Sequence, residues 1–329
     1  MKKSLAIVLA ALLVMVNAAA LADVAPSDEI VLTENGFTKT YASTDTAIIP
    51  TEELTFTVTP GETNPDTPTL TVAGYKAIED KKAATDNLQV TIPSYTKPGV
   101  YTYTITENAG NAQGETYSTA SVGLTVLVDF DYTDPKYPDG KLVAHPGITK
   151  NAEGNKDDDF QNLYEVGDLE ISKTVTGNLG SKTEYFDVEV TLNATKNVQS
   201  EITISGGTHA DNPTSIALGW TGEKKVNLKI KNGETIKLEN VPKDVSYTVV
   251  EAAAHAAEDP TYSDPTKGYT VTYANEAGST TASAVTTTIT NDKANTPDTG
   301  IVLDTMPYML LMLLAAAGFM MIGRKREEY

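Results

Sequence analysis

The fold is decided by the stretch KPGVYTYTITE, which runs from Lys97 to Glu107. Its first three residues form a turn signal, and the rest alternates β-branched or aromatic residues with threonine. Because successive side chains of a strand point to opposite faces, this alternation places the tyrosines and the isoleucine on one apolar face. The stretch therefore predicts a half-buried β-strand that ends in an acidic residue.

Seven more short runs alternate in the same way, and between the two ends of the chain we find no long amphipathic helix. Turn signals such as Pro138-Asp139-Gly140 and Lys231-Asn232-Gly233-Glu234 lie between these runs. Many short strands joined by such turns are typical of antiparallel β-sandwiches, so we predict an all-β protein. The runs cover residues 54–58, 124–130, 186–192, 226–230, 247–250, 269–273 and 285–289.

The two halves of the chain repeat one order of segments, which indicates that a single module occurs twice. In each half a glutamate follows a lysine after 68 or 78 residues, and an asparagine follows after a further 55 or 40. A polar stretch at 149–159 precedes the point where the apolar alternation resumes. We therefore predict two tandem antiparallel sandwich domains, residues 23–168 and 169–295. The matching segments are Phe37-Thr38-Lys39, Leu54-Thr55-Phe56, Tyr103 to Glu107 and Phe160-Gln161-Asn162, then Ile171-Ser172-Lys173, Phe186-Asp187-Val188, Tyr247 to Glu251 and Ile289-Thr290-Asn291.

The repeated lysine, glutamate and asparagine have a chemistry in common. They can meet only if the first and last strands of a module are neighbours, which closure of a sandwich allows. Burial lowers the pKa of a lysine and raises that of a glutamate, so a neutral amine can lie beside a protonated acid. Such an amine can attack an asparagine amide while the acid transfers a proton and ammonia leaves. The candidates for this Lys-Asn isopeptide bond are Lys39, Glu107 and Asn162 in the first module, and Lys173, Glu251 and Asn291 in the second.

Taken one at a time, these residues have an ordinary interpretation. Lysines at strand ends are usually solvated, and asparagines after strands usually form turns. The recurrence of the whole set in both halves of a chain without cysteine favours the isopeptide interpretation.

The first residues have the pattern of an export signal. Lys2 and Lys3 precede an apolar run at 5–16, and Ala20-Leu21-Ala22 supplies the small residues that a signal peptidase accepts. We expect residues 1–22 to be a signal peptide that is cleaved after Ala22.

The last residues combine the segment Thr296-Pro297-Asp298-Thr299-Gly300 with an apolar stretch at 306–322 and the basic group Arg324-Lys325-Arg326. The stretch is long enough to cross a bilayer, and the basic group would hold its end in the cytoplasm. The arrangement resembles the LPXTG signal read by sortases of Gram-positive bacteria, with Thr296 in place of leucine. The resemblance implies cleavage between Thr299 and Gly300 within a motif at 296–300, and removal of residues 301–329. A plain membrane anchor is the alternative.

The interior is similar to the two-domain backbone pilins of Gram-positive bacteria, of the streptococcal major-pilin kind. The residues that carry the resemblance are KPGVYTYTITE at 97–107, ISKTVTG at 171–177 and Ile289-Thr290-Asn291. It implies CnaB-type, immunoglobulin-like domains with isopeptide bonds from Lys39 to Asn162, promoted by Glu107, and from Lys173 to Asn291, promoted by Glu251.

The same resemblance implies that Thr299 is joined to a lysine of the next subunit. In that family the lysine lies a few residues before the asparagine strand of the first domain, which points to Lys156. Lys150 and Lys136 are the other candidates. The implied partners are a sortase, further copies of the chain, cell-wall peptidoglycan, minor pilins and host or matrix ligands.

Composition limits the function. The formal net charge of −19 argues against nucleic acid or anionic lipid as a partner. Three scattered histidines and no cysteine give no local signature of a metal site or a catalytic triad, so we expect no cofactor and no enzyme. The leading interpretation is a backbone pilin at the cell wall. The alternative is a singly anchored adhesin that is not polymerised, and a surface hydrolase comes third.

Overall fold

The structure is a computed structural model that describes residues 24–44, 47–61, 67–77, 81–149, 158–252 and 269–294. The predicted signal peptide, the sortase motif with Thr299 and Gly300, the predicted span, Lys150 and Lys156 lie outside the described residues. Within the described ranges, no helix has the length and apolar character needed to cross a membrane.

The described residues of the first half form two five-stranded sheets that enclose one apolar core. One sheet has the order β3-β5-β1-β10-β7 and the other β4-β2-β6-β8-β9. The strands are β1 (Ile30–Ser43), β2 (Glu53–Pro60), β3 (Thr71–Val72), β4 (Tyr75–Lys76), β5 (Ala83–Ile92), β6 (Gly99–Asn108), β7 (Glu115–Thr116), β8 (Ser121–Asp131), β9 (Lys141–Thr149) and β10 (Asp159–Tyr164).

The part of the second half that the structure describes forms a six-stranded and a four-stranded sheet around a second core. Their orders are β14-β13-β16-β11-β20-β18 and β15-β12-β17-β19. The strands are β11 (Val166–Thr176), β12 (Tyr185–Val198), β13 (Ile202–Gly206), β14 (Ser215–Ile216), β15 (Trp220–Lys231), β16 (Thr235–Pro242), β17 (Ser246–Glu251), β18 (Thr270–Ala274), β19 (Ala277–Ser279) and β20 (Val285–Asp292).

The predicted all-β class is confirmed, and the sequence alternation explains what each strand buries. In β6 the side chains of Tyr101, Tyr103 and Ile105 are buried, while Thr104 is exposed. Glu107 follows at the same period of two, so its carboxyl group enters the core on the apolar face. A pattern that is needed for packing thus also places an acid inside the protein.

The sheets are antiparallel except at one pair in each half, where the first and last long strands lie side by side and run parallel. The predicted antiparallel pairing is therefore wrong at β1–β10 and at β11–β20, and holds for the other pairs of strands named above. The last strand is reached by a connection from the opposite sheet rather than by a hairpin, so its direction is not tied to that of its neighbour. The predicted closeness of first and last strands is confirmed.

The two halves are joined by a connection of one residue, Glu165, between β10 and β11. Its carboxylate accepts a hydrogen bond from Lys243 Nζ at 2.6 Å, and its carbonyl oxygen accepts one from Lys243 N at 3.0 Å. Tyr164 of the first half and Ser200 of the second pair their hydroxyl groups at 2.5 Å. The contacts of Glu165 itself and of the residue before it, Tyr164, thus hold the short connection against the second half.

The segment before β7 makes further contacts across this junction. Gln113 N donates to Asn197 O at 2.8 Å, and Gln113 Nε2 donates to Lys243 O at 2.9 Å. Gly114 O accepts a hydrogen bond from Glu165 N at 2.9 Å. Gly114 has φ of +82°, a conformation that favours glycine, and a Cβ here would lie 2.7 Å from Glu165 O.

Candidate functional site

The first candidate site lies on the buried side of β1 and β10. Lys39 is 0% exposed, and its Nζ lies 2.7 Å from Glu107 Oε2 and donates to the backbone oxygen of Phe160 at 3.2 Å. Burial lowers the pKa of Lys39, although the hydrogen bond and the charge of Glu107 oppose this shift. The structure therefore brings Lys39 and Glu107 together in a site without access to water, where the amine is closer to its neutral, nucleophilic form.

The second candidate site repeats this arrangement on β11 and β20. Lys173 Nζ donates to Glu251 Oε2 at 2.5 Å, and Asn291 Nδ2 donates to Glu251 Oε1 at 2.7 Å. One carboxyl group thus bridges the amine and the amide. All three residues are buried, Lys173 Nζ lies 4.3 Å from the ring centroid of Phe186, and burial lowers the pKa of Lys173.

The strand register at the two sites is the same. In the first half Lys39 is opposite Phe160, and the asparagine lies two residues beyond Phe160. In the second half Lys173 is opposite Ile289, and Asn291 lies two residues beyond that. Because side chains two residues apart on a strand share a face, each asparagine points to the same side of its sheet as its lysine.

The amide of Asn162 has a partner that the sequence analysis missed. Asn162 Nδ2 donates to Oε1 of Glu115, at 2.8 Å, and Asn162 Oδ1 accepts from Ser118 N, also at 2.8 Å. No hydrogen bond from Asn162 to Glu107 is found among the described residues. The first site therefore contains two carboxyl groups, one at the amine and one at the amide.

Comparison of the two halves could not reveal Glu115, because its position has no acidic counterpart in the second half. Glu115 lies on the short strand β7, opposite Tyr164. In the second half, extension of the β18–β20 pairing by one residue puts Tyr269 at the equivalent position. The available signal was local, an acid directly after the turn glycine Gly114 in a polar segment. Nothing in that signal indicates burial.

Lys136, the one candidate intersubunit lysine among the described residues, lies apart from both sites. It is exposed in the turn between β8 and β9, and its backbone nitrogen donates to Asp134 Oδ1 at 2.9 Å. Its Nζ lies 5.1 Å from the ring centroid of Tyr137. An exposed amine in this turn is accessible to another protein.

Comparisons with known proteins agree with this architecture. Residues 36–165 match the family described as "Spy0128-like isopeptide containing domain", and residues 167–293 match one described as "Domain of unknown function (DUF7601)". A protein named pilin from Streptococcus pyogenes serotype M1 is 28% identical over 309 residues, which cover 85% of this chain and 87% of that protein.

A crystal structure of a variant of the major pilin from Streptococcus pyogenes has the same fold. Its TM-score is 0.52 at 23% sequence identity, and the match covers 82% of this chain and 100% of that chain. This chain is therefore similar over most of its length to a streptococcal pilin, and its residues 36–165 match the family of Spy0128-like isopeptide-containing domains.

Proposed function

We propose that this chain is the structural backbone subunit of a covalent pilus on a Gram-positive cell surface, with one self-formed isopeptide bond in each of two CnaB-like domains. One observation carries the proposal: a buried lysine, carboxyl group and asparagine recur at the same strand register in both halves. The similarity to a pilin over most of both chains supports the same function.

The second site supports a simple sequence of steps. Lys173 passes a proton to Glu251, and the neutral amine attacks Cγ of Asn291. Glu251 gives its proton to Nδ2, the bond from Cγ to Nδ2 breaks, and ammonia leaves. Nζ then loses its second proton to Glu251, which ends protonated beside a neutral amide.

The energetics of burial favour this reaction. A lysine and a glutamate that are both shielded from water lose their hydration, and their mutual attraction recovers that cost only in part. The reaction replaces an ammonium and a carboxylate with an amide and a neutral acid, so the buried charges disappear. The folded environment thus drives the reaction that the same residues carry out.

Intact mass tests the two bonds. Each bond releases one ammonia, so the secreted chain should weigh about 34 mass units less than its sequence, and digestion should yield two branched peptides. One of them should join the peptides of Lys39 and Asn162, and the other those of Lys173 and Asn291. A chain with the full sequence mass would refute the bonds.

Immunoblots of cell-wall extracts test the assembly. We expect a ladder of heat-resistant and detergent-resistant species that disappears in the Thr299→Ala variant and in cells without the sortase. Replacement of Lys156, Lys150 and Lys136 one at a time by alanine should identify the intersubunit lysine, because only the linking residue abolishes the ladder. A single wall-attached species in place of a ladder would favour the singly anchored adhesin.

A further inference from the structure

The two candidate sites differ in which carboxyl groups contact the lysine amine and the asparagine amide. In the second site Glu251 contacts both the amine and the amide. In the first site Glu107 contacts the amine, and its Oε1 has no hydrogen-bond partner among the described residues. The amide there is held by Glu115.

Glu115 is held firmly against the amide. The backbone nitrogen of Ala112 donates to the hydroxyl group of Tyr117 at 2.7 Å, and that hydroxyl group donates to Glu52. Asn111 N donates to the same Glu52 carboxylate at 2.8 Å. The loop on which Glu115 lies is thus anchored on both sides, and the hydrogen bond from Asn162 Nδ2 orients its carboxyl group.

The polar environment of the amide also fits a reaction at Asn162. Ser118 N donates to Asn162 Oδ1, where negative charge develops when an amine attacks Cγ. Glu115 Oε1 lies 2.8 Å from Nδ2, the nitrogen that must leave. Glu115 Oε2 is buried and has no hydrogen-bond partner within the described part of the chain, which disfavours a carboxylate there.

We propose that Glu115 is the general acid of the first-domain reaction and protonates the leaving nitrogen of Asn162, while Glu107 serves as the base for Lys39. This inference rests on the proposed isopeptide bond and assigns its chemistry in the first domain to two carboxyl groups instead of one.

The steps balance. Lys39 gives one proton to Glu107, and its lone pair forms the bond to Cγ of Asn162. Protonated Glu115 gives its proton to Nδ2, the bond from Cγ to Nδ2 breaks, and ammonia leaves. The Glu115 carboxylate then takes the second proton of Lys39 Nζ, so Glu115 ends as it began and Glu107 ends protonated.

The ionisation of Glu115 agrees with this role. Burial raises the pKa of Glu115 to about 8, although the hydrogen bond from Asn162 and the charges of Lys39 and Lys196 act in the opposite direction. The nearby hydroxyl groups of Tyr117 and Tyr164 have pKa values that burial raises as well, so they stay neutral at this pH. Glu115 is therefore protonated at neutral pH and available as an acid.

The experiment follows bond formation in the full chain after cell-free synthesis, with intact mass sampled over time and branched peptides mapped for each domain. In Glu115→Gln the glutamine can still accept the hydrogen bond from Asn162 but cannot donate a proton as an acid. We expect the first-domain bond to form about 100-fold more slowly, while the second-domain bond forms at the wild-type rate. Glu29→Gln, which removes an exposed carboxyl group from the same domain, should change neither rate.

The outcomes separate this inference from the proposed function. A wild-type chain without any mass deficit refutes the isopeptide bonds altogether. A deficit of about 34 units that develops at the same rate in wild type and in Glu115→Gln overturns the role of Glu115 alone.

The pH profile of the wild-type chain gives a second readout that needs no substitution. Loss of the Glu115 proton should slow the first-domain bond as the pH rises through about 8. Deprotonation of Lys39 with rising pH would accelerate the reaction instead, so a fall is specific to an acid. A first-domain rate that keeps rising above pH 8 overturns the proposal even if Glu115→Gln fails to fold.

Discussion

Replacement of Glu251 by alanine should leave the second domain without its bond and close to unfolding. The variant should show a mass deficit of about 17 units instead of about 34, because only the first domain reacts. By analogy with a disulfide that closes a loop of this size, loss of the bond costs about 4 to 5 kcal/mol of unfolding free energy. Lys173 would also stay buried without its partner, at a further cost of about 3 to 5 kcal/mol. Thermal unfolding and limited proteolysis measure the effect.

Two companion variants separate these contributions. Asn291→Ala also prevents the bond but keeps the pair of Lys173 and Glu251, so its loss of stability should be about that of the bond alone. Glu189→Ala removes a carboxylate from β12 whose partner, Lys225, is solvent-exposed, and should change stability by less than about 1 kcal/mol. A full mass deficit in Glu251→Ala would mean that this glutamate is dispensable.

Replacement of Gly114 by alanine should loosen the junction between the two halves. Alanine pays about 1 to 2 kcal/mol for the left-handed conformation at φ of +82°. Its Cβ would also lie 2.7 Å from Glu165 O and 3.0 Å from Lys243 N, so one side of the junction must move, at a cost of about 1 to 3 kcal/mol. We expect faster hydrogen exchange at Glu165 N, whose acceptor is Gly114 O, and a lower unfolding temperature.

Gly233→Ala is the matched control for this prediction. Gly233 has φ of +80° in the turn between β15 and β16, and a Cβ there would meet no atom within 4 Å. Its substitution therefore has the conformational cost alone. Equal destabilisation by the two variants would show that the close approach at Gly114 contributes nothing.

The sequence predicts the strands well because in a sandwich every second residue of a strand faces the core, so burial follows the alternation in the sequence. The run from Val100 to Ile105 lies within β6, and its period of two leads directly to the buried Glu107. The repeat likewise predicts that Lys173, Glu251 and Asn291 form one site, and the structure brings all three into contact. Their bond remains a prediction.

Features that depend on one half alone, or on the contact between halves, could not be predicted. Glu115 lies on a strand of two residues, too short to show any period, and its burial results from packing against β10. The parallel direction of β1 and β10 depends on the path of the chain between sheets, which no local pattern records. The hydrogen bonds of the Gln113 side chain join residues that are more than 80 positions apart in the sequence.

The single-residue connection at Glu165 has a consequence for how far the molecule could be stretched. With both proposed bonds formed, a pulling force that enters the first domain at the proposed intersubunit lysine, Lys156, would pass along residues 156–173 and then across the bond from Lys173 to Asn291. Residues 40–155 and 174–290 would lie beside this path, within the two closed loops. Outside such a loop, each of these residues could add about 3.3 to 3.6 Å when extended. A fibre of such subunits would have almost no hidden length to release, and would transmit tension with very little extension.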